Sequence, residues 1–246
     1  MAKHTNTALA DSSQHLAGPP TAISAATLLS LLQLASPTLP VGAYSYSEGL
    51  ETLVEAGSIV DAATLHQWLA AELQQGGLKL EGAVLVRAYQ AVAAACWDDL
   101  SQWNHWWSAA RETKELRQQS WQMGRSLSRL LEKMDPATAD WLQHCSSPVN
   151  WAVVFGGAAA HWQVDLTATL TAFYQGWAGN LINAGVKLIP LGQTAGQQLL
   201  FNLTPCIVAT VTDVLKLRDD ELRCCSWGVA LASSQHEIQR VRLFQS

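Results

Sequence analysis

Residues 111–134 read RETKELRQQSWQMGRSLSRLLEKM. Leu116, Ser120, Met123, Leu127, Leu130 and Met134 recur in it at alternating steps of four and three. On a backbone with 3.6 residues per turn that spacing gathers them into one stripe. Arg111, Glu112, Lys114, Glu115, Arg117, Arg125 and Arg129 fall mostly on the other faces. The stretch predicts one amphipathic helix from about Ala110 to Met134, closed by Asp135-Pro136, an N-cap and first-turn proline for a short helix ending near Cys145.

The same helical reading extends outward in both directions. Upstream, a helix from about Ala22 to Leu34 must stop before Ser36-Pro37, where proline removes a donor and restricts the residue before it. A short helix follows from about Ser45 to Ala56, with Gly57 as its stop. Asp61 caps the next, which ends at Gly76-Gly77; another runs from about Leu78 to Cys96, and Asp98 or Asp99 caps its successor. Downstream, Pro148 starts a helix. Residues 151–185 carry Asp165 as their one charge, so that helical pair is expected to be buried on nearly all sides. Gln193–Asn202, Pro205–Leu217 and about Ser226–Arg240 complete the set. No segment alternates in the manner of a strand. The fold class expected is all-α: a single domain of about ten packed helices over residues 21–246, preceded by a disordered tail at residues 1–20 that ends in Gly18-Pro19-Pro20.

Composition limits what such a domain does. The chain has 246 residues, a net charge of −5 and 15 Lys+Arg, too few for a phosphate-binding face, so nucleic acid is not expected as a partner. No apolar run reaches the roughly 18–20 residues of a membrane span, and MAKHTNTALADSSQH lacks the apolar centre of a secretory signal. Five cysteines without CxxC spacing read as reduced thiols, which points to the cytoplasm. Only 14% of residues are charged, against about 25% in an average domain, while 11 of the aromatics are Trp. A surface so poor in charge suits coverage by other proteins.

Motifs for chemistry are sparse. GxxxxGK[ST] is absent, and Gly156-Gly157 reads as close helix packing rather than a phosphate loop. The histidines at 4, 15, 66, 105, 144, 161 and 236 form no HxxxH pair, and neither His144-Cys145 nor Cys224-Cys225 can build a metal site from neighbouring positions. No GxSxG elbow is present. Glu48 and Glu51, three apart on one helical face beside Tyr44 and Tyr46, read more readily as a solvated first turn than as an acid–base pair. No catalytic residue, cofactor or metal ligand is expected.

Two segments stand out as recognition surfaces. The first is SPTLPVGAYSYSEGLE, 36–51, in which Pro37, Pro40 and Gly42 stiffen or bend a loop that presents Tyr44, Ser45, Tyr46, Glu48 and Glu51. The second is QHEIQRVRLFQS, 235–246, where His236, Glu237, Arg240, Arg242, Leu243 and Phe244 include side chains favoured at interface hot spots, on a terminus expected to be mobile when free.

These segments also carry a resemblance. LLQLASPTLPVGAYSYSEGLE (31–51), RETKELRQQSWQMGRSLSRL (111–130), FGGAAAHWQV (155–164), LTAFYQGWAGNLINAGVKLIPLGQTAGQQLL (170–200) and HEIQRVRLFQS (236–246) resemble the UreF family of urease accessory proteins along nearly the whole chain after residue 21. The resemblance implies an all-α fold, a homodimer and no enzymatic activity. It further implies a chaperone-like scaffold for nickel insertion into apo-urease, bridging the accessory protein UreD (UreH in some organisms) and the GTPase UreG, with nickel as the cargo of the assembly. Two other roles stay open: a regulator of GTP hydrolysis by UreG, with Arg242 or Arg111 reaching the nucleotide, and a direct nickel carrier. The 36–51 segment and the C-terminal tail are expected to lie together as the partner-binding face.

Overall fold

The computed structural model describes residues 23–223 and 226–245. The expected tail at 1–20 and the Cys224-Cys225 pair lie outside the described residues. Among those described, twelve α-helices form and no strand does, so the expected all-α class is observed. They are α1 (Ala25–Leu34), α2 (Leu50–Glu55), α3 (Ala62–Gln75), α4 (Gly77–Ala93), α5 (Trp97–Ala110), α6 (Lys114–Met134), α7 (Ala139–Leu142), α8 (Trp151–His161), α9 (Leu166–Leu188), α10 (Gln193–Asn202), α11 (Thr204–Val214) and α12 (Trp227–His236).

Helices α4 and α8 form the centre. Every residue of α8 from Ala152 to Ala160 is buried, and α4 is buried over Leu78, Leu80–Ala88 and Ala91. The two helices touch through small residues. A Cβ on Gly156 would stand 2.5 Å from the Leu85 carbonyl oxygen, and one on Gly157 would meet the Trp141 ring. That accounts for the Gly156-Gly157 pair as packing. Helices α5, α6 and α9 pack around this pair, α3 and α11 lie against α4, and α12 crosses α2 and α6.

Several ends follow the sequence signals. Asp61 caps α3 by accepting the Thr64 amide at 2.8 Å while the Thr64 hydroxyl accepts the Asp61 amide, and α10 spans the predicted residues. Other expectations are corrected. The helix read from about Ala110 starts later: Ala110 closes α5, Arg111 is extended, and Thr113 starts α6 by accepting the Leu116 amide. Within α6, Leu116, Ser120, Met123 and Leu127 are buried as expected. Further on, Leu131 is fully buried in place of the half-buried Leu130, and Met134 is 41% exposed. Asp98 and Asp99 lie inside the first turn of α5 instead of capping it. There their charge still faces the helix N-terminus favourably. Helix α8 begins at Trp151, not Pro148, and α12 ends at His236, not Arg240. Of the uncharged pair, α8 is enclosed, but α9 exposes Thr167, Thr171, Gln175, Asn183 and Lys187 along one polar stripe.

Ser120 owes its place in the stripe to a buried polar knot. Its hydroxyl donates to Asn150 Oδ1 at 3.1 Å, and Asn150 Nδ2 donates to Asn104 and to Ser108 Oγ at 2.8–2.9 Å. Fully paired knots of this kind fix helix positions at little net cost. This one aligns α5, α6 and the start of α8.

Candidate functional site

The 36–51 segment departs from the expected loop and helix. Pro37 and Pro40, both exposed, turn the chain away from α1. Gly42 sits at φ +80°, a conformation glycine takes at no steric cost, and leads into a short 3-10 turn at Ala43–Ser45. Ser45 Oγ donates to the Gly42 carbonyl at 2.7 Å, and Asn180 Nδ2 of α9 donates to the Ala43 carbonyl at 2.8 Å. Pinned this way, Tyr44 stands 71% exposed, while Tyr46 turns inward and is 4% exposed. Burial raises the pKa of the Tyr46 hydroxyl above its ordinary value.

Glu48 and Gly49 then interrupt the expected helix, at φ +53° and +83°. Glu48 and Glu51 therefore share no helical face. The Glu48 carboxylate accepts Gln119 Nε2 of α6 at 2.7 Å and Trp177 Nε1 of α9 at 2.9 Å. Glu51, buried on α2, points the opposite way. It accepts the backbone N–H groups of Leu243 at 2.7 Å and Phe244 at 3.1 Å. Gly49 permits α12 to lie close, since a Cβ there would stand 2.8 Å from the Ala232 Cβ.

The C-terminal tail is thus docked on the body, where the sequence suggested a mobile end. Phe244 is 5% exposed with Lys187 Nζ 5.5 Å above its ring, and the Gln245 amide donates to the Ser45 carbonyl at 2.8 Å. His236 is fully buried, with Nδ1 3.0 Å from Glu115 Oε2 and Nε2 3.3 Å from Glu51 Oε2. Arg242 Nη1 donates to Glu115 Oε1 at 3.0 Å, and its other nitrogens bind the Gln239 and Glu237 carbonyls. Glu237, Ile238, Arg240, Val241 and Leu243 remain exposed. The structure brings the two sequence-selected segments together. It sets Tyr46, Glu51, His236 and Phe244 inside that junction, and Tyr44, Pro37, Pro40, Arg240 and Leu243 outside it.

Below the start of α12 lies a small cavity lined by Glu48, Glu72, Gly77, Glu81, Arg111, Glu112 and Ser226, of which only Glu48 and Arg111 were singled out from the sequence. Arg111 Nη2 lies 3.6 Å from Glu81 Oε2, and the guanidinium covers the Trp107 ring at 5.0 Å. Burial pushes both Glu72 and Glu81 up to about 7; Glu48 and Glu112 add to this, and Arg111 opposes it. Arg111 is only 7% exposed, whereas Arg242 is partly exposed and engaged with Glu115. Among the described residues, no three His, Cys, Asp or Glu side chains are grouped to hold a metal ion. No helix among them is long and apolar enough to cross a membrane.

Sequence reasoning missed Glu115, Gln119, Trp177, Asn180 and Lys187, the body's side of these contacts. Only Gln119, a polar residue beside the apolar stripe of α6, carried any signal. Comparison with known proteins decides the kinship. The UreF family model matches residues 59–204. The chain is 58% identical over 218 residues to the urease accessory protein UreF of Nostoc sp., covering 89% of this chain and 95% of the relative.

The chain belongs to the UreF family.

Two further UreF proteins agree. That of Microcystis aeruginosa is 51% identical over 219 residues, covering 89% of this chain and 97% of its own, and that of Synechocystis sp. is 48% identical over 235 residues, covering 91% and 100%. Each relative's name describes a urease accessory protein. The matched family region takes in α3 through α10, so the α4–α8 centre lies within it, and the 36–51 segment and the C-terminal tail flank it.

Proposed function

We propose that the protein acts in urease maturation as a non-enzymatic cytoplasmic scaffold, working as a homodimer. It bridges UreD (UreH) and the GTPase UreG so that nickel, the cargo of the assembly, is delivered to apo-urease. Family membership supports the role in maturation. The observation that carries the scaffold reading is the fused face of the 36–51 segment and the tail. A carboxylate and a buried imidazole hold it rigid from within, while Tyr44, Ile238, Arg240, Val241 and Leu243 project from it at exposures of 62–82% where they are large and apolar or aromatic. Rigid presentation of aromatic, apolar and Arg side chains lowers the entropy cost of association. In this reading the exposed residues touch the partner, and Glu51, His236, Tyr46 and Phe244 position them.

The test is co-expression with UreD and UreG followed by mass measurement of the purified assembly. Truncation after His236 keeps the buried imidazole and removes the projecting residues of the tail, Ile238, Arg240, Val241 and Leu243. It is expected to abolish capture of UreD and UreG with the helical body intact. A truncated chain that still copurifies with both partners overturns the proposal. Cutting before His236 would confuse the result, because Glu51 and Glu115 would be left facing each other without a donor between them.

A further inference from the structure

We infer that His236 is a protonation-dependent latch that holds the C-terminal tail on the body. The imidazole has no exposure, and each ring nitrogen faces a carboxylate: Nδ1 faces Glu115 of α6 at 3.0 Å and Nε2 faces Glu51 of α2 at 3.3 Å. A neutral imidazole carries one N–H and one lone pair, so it serves one of these carboxylates and turns a lone pair on the other. The imidazolium donates to both. Two carboxylates on different elements, Glu51 buried and Glu115 partly buried, are therefore joined only in the charged form.

The remaining charges do not replace that proton. Arg242 of the tail reaches Glu115 through the other oxygen, Oε1. On the neighbouring elements, Glu55 of α2, Lys114 of α6 and Glu237 after α12 are solvent-exposed, and Lys187 of α9 stands over Phe244. Both carboxylates are also the anchors of the tail, Glu51 through the Leu243 and Phe244 amides and Glu115 through Arg242. When His236 gives its proton to solvent, one carboxylate turns from its lone pair and the tail anchor on that side is drawn out of place. Rising pH thus loosens residues 237–245, and falling pH fastens them. The latch is a property of the chain alone and stands apart from which partner the tail meets.

Amide hydrogen exchange of the full-length protein, followed by NMR from about pH 5.5 to about pH 9 and normalised to buried amides of α4, reads the latch directly. Protection at the Leu243 and Phe244 amides is expected to fall about tenfold or more as His236 loses its proton, the ratio expected from loss of one charge-assisted hydrogen bond. In His236→Gln, whose amide turns its NH2 toward one carboxylate and its carbonyl oxygen toward the other, protection is low throughout and the step is gone. In Glu115→Gln the neutral imidazole suffices, since it donates to Glu51 and accepts from the new amide, so protection is retained without a step. Flat protection in the unaltered protein, or a step that survives in Glu115→Gln, overturns the latch. Should His236→Gln fail to fold, Glu115→Gln decides alone.

Discussion

Glu51 accepts the backbone amide of Phe244 at 3.1 Å, joining positions 193 residues apart in the chain. The same carboxylate takes the Leu243 amide at 2.7 Å, so one buried anion fixes the path of the tail. Each charge-assisted bond of this type contributes about 1.5–3 kcal/mol. Glu51→Gln puts an NH2 group against one of the two amides. The expected result is rapid proteolysis within residues 237–245 and loss of their exchange protection, with the melting of the body lowered by only a few degrees.

Gly49 tests the seating of α12. It combines φ +83° with a Cβ position 2.8 Å from Ala232 and 3.1 Å from the Ser233 amide. Gly49→Ala is expected to cost at least about 2 kcal/mol in denaturant unfolding. Gly57 supplies the control: its φ is +71° but nothing lies within 4 Å, so Gly57→Ala carries the backbone penalty alone, about 1 kcal/mol.

Gly156→Ala probes the centre. The new methyl meets the Leu85 carbonyl, a backbone atom of the buried helix α4, and cannot be accommodated by a rotamer change. A loss of about 3 kcal/mol is expected, read as a lower denaturant midpoint at unchanged slope.

The acidic cavity sets a pH dependence. Glu72 and Glu81 hold their protons up to about 7 in the folded chain, against 4.5 ordinarily. The folded state therefore binds more protons than the unfolded one between those values, and stability falls as pH rises through that window and levels off above it. Glu72→Gln removes one of these groups without stripping Arg111 of Glu81. Thermal unfolding should show a gain of about 1–2 kcal/mol near pH 8, reduced because Glu72 keeps some solvent, and a much smaller gain near pH 4.5.

The elements built on local rules were legible: Asp61 and Thr64 at the start of α3, Asp135-Pro136 after α6, and the four-three spacing within α6. The breaks at Glu48 and Arg111 were not. A glutamate at positive φ defies its own preference and is held there by Gln119 and Trp177, partners 71 and 129 positions away. Helix α5 ends at Ala110 and Thr113 starts α6 with no glycine or proline between them to announce the break. Both recognition segments could be chosen from composition, and their adjacency was expected. Which side chains turn inward was not legible, because Glu115 and His236 lie 121 residues apart and neither position marks the other.

The seating of the tail has a consequence for biosynthesis. The 42–51 segment emerges from the ribosome long before residues 237–245, and domains assemble as the chain is made. Through that interval Glu51 faces no amide and Ser45 has no tail beside it, so this junction is the last part of the molecule to close. Nascent chains thus hold a folded helical body before the junction of these two segments can close.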